Sequence, residues 1–135
     1  EVNGWTGIDL VDNSFSNTIT CGKNGGWDFV ETWQWIIRMT VYTPKYINIP
    51  NQDIYKEIAG DLASRIYSHE EEHVDIFLGI IKDIVKTITI GGVGIREAVT
   101  QGKQRLEPEL QYEADLMFQE ALFMSGLLDQ EHNEY

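Results

Sequence analysis

The chain is 135 residues long and carries a formal net charge of −12, from 22 acidic and 10 basic side chains. That balance argues against a nucleic-acid partner, which needs clustered Lys and Arg to meet phosphate, and against docking on anionic membranes. With 42% hydrophobic residues and four Trp, residues 1–135 are expected to fold as a single domain around one core.

The lone Cys21 allows neither an internal disulfide nor a Cys-rich zinc site. No run reaches the roughly 18 apolar residues that a membrane span requires.

In chain order, the first 50 residues are β-rich. Residues 7–11 and 14–21 read as strands separated by Asp12-Asn13, and Asn24-Gly25-Gly26 reads as a further turn. Residues 32–42 alternate. Trp33, Trp35, Ile37, Met39 and Val41 share one face, while Thr32, Gln34, Arg38 and Thr40 lie on the other, which marks a half-buried strand. Trp33 and Trp35 are expected to fill the core; the other reading makes their strand the edge of a peptide-binding cleft. Pro44 breaks the strand, and 46–49 resumes it before Pro50.

From residue 51 the apolar period is helical. Ile54, Ile58, Leu62, Ile66, His69, His73, Ile76, Phe77, Ile80, Ile84 and Ile88 recur every three or four positions. Asn51 or Asp53 is a plausible N-cap, and Gly91-Gly92-Val93-Gly94 ends or interrupts the region. A second long helix is predicted from about Pro108, with Leu110, Ala114, Met117, Ala121, Met124 and Leu128 as its stripe and His132 near its end. The expected fold class is α+β, a small N-terminal β-sheet followed by two long helices.

Within the first helix, His69-Glu70-Glu71-Glu72-His73 matches H-E-x-x-H. Residues i and i+4 lie one turn apart on the same helix face, so two imidazoles can converge on one ion. Zinc accepts neutral imidazole nitrogens at roughly 2.0–2.1 Å in tetrahedral geometry. Glu70 is placed to act as general base, taking a proton from water as it attacks a carbonyl and passing it to the leaving amine. Both histidines fall on the apolar stripe, which favours a metal site over a solvated charged turn.

A catalytic zinc needs a third protein ligand. His132 is the only other histidine and the first candidate. Glu113 and Glu109 are its rivals. Glu113-Ala114-Asp115 resembles the segment that follows the ligating Glu in many two-His-one-Glu metallopeptidases, but the position four before the Asp is Gln111, a poor zinc ligand. The compact pattern with a His six residues beyond the second fails, because position 79 is Gly.

The run Ser68-His69-Glu70-Glu71-Glu72-His73-Val74-Asp75-Ile76 resembles the core motif of a bacterial family of secreted zinc-dependent proteases inferred from that motif. The order also resembles that family's: a Trp-containing strand ending near a Pro, a helix with H-E-x-x-H, and a distal His. The family's distal motif is Tyr-Asp-x-x-Thr-x-His-Gly, against Leu127-Leu128-Asp129-Gln130-Glu131-His132-Asn133 here. The resemblance therefore carries over His69, Glu70 and His73 directly and points to His132 as the distal ligand. It implies a zincin-like layout, zinc as cofactor, a peptide or protein substrate, and a secreted, periplasmic or cell-envelope location.

The expected function is thus a zinc-dependent hydrolase, in particular a peptidase. A second expectation is a non-catalytic module in which zinc fastens one helix to the other. A third, a di-iron carboxylate site built on Glu70-x-x-His73 and Asp129-x-x-His132, needs a four-helix bundle that the β-rich first half leaves no room for.

Overall fold

The computed structural model describes residues 4–43 and 53–132, with the side chains of 53–56, 59 and 130–132 outside that description. Five elements follow in order: β1 (Trp5–Cys21), β2 (Trp27–Tyr42), α1 (Asp53–Ile80), β3 (Ile84–Ile90) and α2 (Ile95–His132). The α+β layout is the expected one, a three-stranded antiparallel sheet in the order β1-β2-β3 with two long helices. The strand expected at 46–49 and the Asn51 cap lie outside the described residues, and Asp53 is the first described residue of α1.

Several boundaries differ from expectation. The two strands expected before residue 22 are one. At Asp12-Asn13 the chain does not turn; the register slips between Leu10 and Asp12, leaving Val11 as an extra residue. A β-bulge of this kind absorbs one residue without ending the strand. The β1–β2 hairpin closes where expected, with Gly25 at φ 80° and the Gly22 N–H donating to the Gly26 carbonyl at 2.7 Å. A positive φ there is why glycine holds the position.

The largest difference is β3. Ile84 and Ile88 fitted the helical stripe, but a spacing of four is also even, so it satisfies the two-residue period of a strand. The β-branched run Ile84-Val85-Lys86-Thr87-Ile88-Thr89-Ile90 favours the strand. Ile84 and Ile90 are buried while Val85, Thr87 and Thr89 face solvent. Helix α1 accordingly stops at Ile80, and Gly92, at φ 77°, turns the chain from β3 toward α2.

Helix α2 starts at Ile95, well before Pro108, which lies inside it. Pro108 is exposed, so the Gln104 carbonyl that loses its N–H partner lies on the side where water can reach it. The helix lies on one face of the sheet. Phe29, Trp33, Ile84, Ile90, Ala98, Leu106, Leu110 and Ala114 form the core. Gly102 permits this closeness, since a Cβ there would stand 2.3 Å from Phe29 Cδ1. Trp33 fills the core as expected, and Trp35 packs on it edge-to-face with centroids 5.5 Å apart.

Among the described side chains of α1, the fully buried ones lie in its C-terminal half. Ile58 and Leu62 of its stripe are exposed, whereas His73 and Phe77 are buried. Phe77 meets Phe118 of α2 edge-to-face at 5.9 Å, and Phe118 stacks on Trp35 at 6.1 Å. This aromatic run joins α1, α2 and the sheet one turn beyond His73.

One charged side chain breaks the apolar core. Glu31 on β2 is 0% exposed, and neither of its carboxylate oxygens has a hydrogen-bond partner of good geometry among the described residues. Burial pushes its pKa up to about 8, and the adjoining Glu107 carboxyl adds to the rise. Lys103 and Asn17 pull the other way with smaller effect. Near neutral pH the group is therefore mainly protonated, which removes the cost of an unpaired buried charge.

Candidate metal centre

Helix α1 puts His69 and His73 one turn apart, with ring centroids 5.0 Å apart and planes 89° to each other. The perpendicular rings let both Nε2 atoms aim at one point. That point is occupied by α2. His69 Nε2 lies 3.0 Å and His73 Nε2 2.8 Å from the same oxygen, Oδ1 of Asp129. The two imidazoles are unequally covered, with His69 22% and His73 5% exposed at the side chain, while Asp129 is 57% exposed.

One turn before Asp129 on α2, Ser125 Oγ hydrogen-bonds the other nitrogen of His73, Nδ1. Residues 125 and 129 share a helix face for the same reason that 69 and 73 do. The hydroxyl can donate or accept, so it suits either tautomer. When Nδ1 carries the proton and donates to Ser125, the Nε2 lone pair is left for a metal, which is the usual way an outer partner orients a ligating His.

Glu70, next to His69 on α1, is only 4% exposed. Its Oε1 accepts a hydrogen bond of 2.7 Å from Thr6 Oγ1, at the start of β1. His69, Glu70 and His73 each offer a ligand atom within 4.8 Å of those of the other two, so this His-Glu-His group could hold a metal ion.

The donor set passes a simple geometric test with Asp129 included. Ligands at roughly 2.0–2.1 Å in a tetrahedron stand about 3.3 Å apart. The two Nε2–Oδ1 separations are a few tenths of an ångström shorter than that.

The other sequence-level candidates fall elsewhere. Glu113 and Glu109 hold Lys86 of β3, at 2.7 and 3.6 Å. Glu113 is separated from Asp129 by about 24 Å of helix, so neither rival is brought to the histidines. His132 is the last residue of α2, and its side chain lies outside the described residues. Asp129, Ser125 and Thr6 were not singled out as site residues from the sequence. Asp129 was visible as part of Asp129-x-x-His132; Ser125 and Thr6 carry no local signal.

These features define an α+β domain whose long helix carries a His-Glu-His group fit for a metal ion. No family model, curated protein or solved structure matches the chain. Among the described residues, no helix is long and apolar enough to cross a membrane.

Proposed function

We propose that the chain is a zinc-dependent hydrolase acting on peptides, with His69, His73 and Asp129 as metal ligands and Glu70 as general base. The observation that carries the reading is the convergence of both Nε2 atoms on one Asp129 oxygen. Two neutral imidazoles and one carboxylate suit zinc, and three protein ligands leave a position open. Bound zinc supplies a Lewis acid that polarises a carbonyl and makes water a better nucleophile at neutral pH. Glu70, with its carboxylate beside the two histidines, would accept a proton from an attacking water and pass it to the leaving amine. Ser125 holds the His73 ring in its ligating orientation. The peptide substrate and a secreted or cell-envelope location are supported by the resemblance of residues 68–76 to secreted zinc proteases.

The test is zinc content and peptide hydrolysis in wild type, Glu70→Gln, Asp129→Ala and His132→Ala. Glu70→Gln is expected to keep its zinc and lose about 10²–10⁴-fold in turnover. Asp129→Ala is expected to lose zinc, and His132→Ala to retain it. Full turnover in Glu70→Gln sinks the base assignment, and undiminished zinc in Asp129→Ala removes the third ligand.

A second reading has its own supporting observation. Asp129 and Ser125 reach from α2 to histidines on α1, so a metal there joins two helices. In a non-catalytic module the zinc would serve as that clasp. Chelation would then lower Tm, the metal would show four protein ligands, and no peptide would be cleaved.

A further inference from the structure

We infer that Thr6 is a positioning residue for Glu70, anchoring one carboxylate oxygen so that the other is the one that accepts the proton. The inference rests on the hydrolase reading above and adds to it a residue far from the motif in sequence.

Thr6 Oγ1 lies 2.7 Å from Glu70 Oε1 and 3.3 Å from the Glu70 backbone carbonyl oxygen. A hydroxyl has one proton to donate, and the shorter contact to a carboxylate is the stronger. Among the described residues, no hydrogen bond reaches Oε2. Among the described residues the two oxygens are therefore inequivalent, one tied to Thr6 of β1 and one with no such donor.

The tie comes from a fixed point. Thr6 pairs with Val41 of β2, so its backbone belongs to the sheet. Next to it, Gly4 lies so close to α1 that a Cβ there would stand 2.4 Å from Ile66 Cγ2, 2.9 Å from Glu70 Cγ and 3.1 Å from Glu70 Oε2. The backbone of Gly4 thus lies against the Glu70 side chain. In that confined space a carboxylate without the Thr6 hydroxyl would keep an unsatisfied oxygen, and it would turn to find another donor.

The consequence is mechanical. A general base must meet its proton within hydrogen-bond reach, and displacement by about 1 Å can cost about 100-fold in rate. The Thr6 hydroxyl sets which way the carboxylate plane faces, and it makes no contact with His69, His73 or Asp129 in the hydrogen bonds of the described residues.

The experiment uses the zinc-loaded chain with Thr6→Val, which swaps the hydroxyl for a methyl, and Thr6→Ser, which keeps the hydroxyl. Expected for Thr6→Val are unchanged zinc stoichiometry, KM within about twofold, kcat lower by about 10- to 100-fold, and a crystal structure with Glu70 Oε1 moved by about 1 Å or more. Thr6→Ser is expected to restore both kcat and the position of Glu70. An unmoved Glu70 in Thr6→Val, a wild-type kcat there, or a Thr6→Ser variant as impaired as Thr6→Val overturns the inference. If Thr6→Val fails to fold, Thr6→Ala carries the same comparison. If the wild type binds zinc yet cleaves no peptide, the hydrolase reading fails on that result, and the position of Glu70 in the variants still decides whether Thr6 holds it.

Discussion

Along most of its length, α2 presses on the sheet through Phe29, Trp33, Leu106, Leu110 and Ala114, each 4% exposed or less. At its C-terminal end the same helix leaves the sheet behind and meets α1 through Ser125 and Asp129, by hydrogen bonds to two histidines. The first region is held by apolar area removed from water, which is non-directional and tolerant of small shifts. The second is held by directed polar contacts, whose worth depends on a few tenths of an ångström. The difference teaches how the labour is divided. A dry contact fixes where α2 lies, and the polar end of the rigid helix delivers Ser125 and Asp129 to the motif. Glu31 is the exception, a polar group placed in the dry region.

Three measurements test whether the two regions are independent. The largest effect is expected in the dry region. Leu110→Ala removes a fully buried side chain and should cost about 2–5 kcal/mol in denaturant unfolding. Zinc affinity of the molecules that remain folded should barely change. A parallel collapse of zinc affinity under folding conditions would show that the two regions are not separable.

The next effect concerns the exception. Between pH 4.5 and about 8 the folded chain keeps on Glu31 a proton that the unfolded chain releases. The stability this contributes is complete below pH 4.5 and is lost as pH rises through about 8. Tm should therefore decline across that window on Glu31's account. Glu31→Gln, a neutral isostere, should flatten the decline and raise Tm at pH 8. A Tm profile with the same pH dependence in wild type and variant would show that Glu31 titrates alike in the folded and unfolded chain, and would overturn its raised pKa.

The smallest effect is expected at the polar end. Ser125→Ala removes the hydroxyl that holds His73 Nδ1, and zinc affinity should weaken by about 10- to 100-fold in a competition titration with a chelator. Unfolding of the metal-free chain should change by less than about 1 kcal/mol. Unaltered zinc affinity would mean that packing alone orients the His73 ring.

Much of the fold was readable before the structure. The alternation from Trp33 to Val41 identified β2, although its start at Trp27 lay outside the alternating run. Of the stripe predicted for α2, Leu110, Ala114 and Ala121 are buried, whereas Met124 is exposed. The errors came where local rules were ambiguous. Ile84 and Ile88 satisfied both a helix and a strand, and pairing with β2 decided between them. Pro108 read as a helix start because proline favours that position, but an exposed proline is tolerated inside a helix whose opposite face is strongly buried.

At the site, helical geometry alone places His69 and His73 one turn apart on one face, with Glu70 next to the first of them. The sequence also placed the motif on a helix, through the period of the surrounding apolar residues. What meets those side chains comes from the fold. Asp129, Ser125 and Thr6 approach from 52 to 64 residues away. No local period links residues that far apart. Their meeting depends on where the β1–β2 hairpin ends and how far α2 runs past the sheet, and both are set by packing of the whole chain.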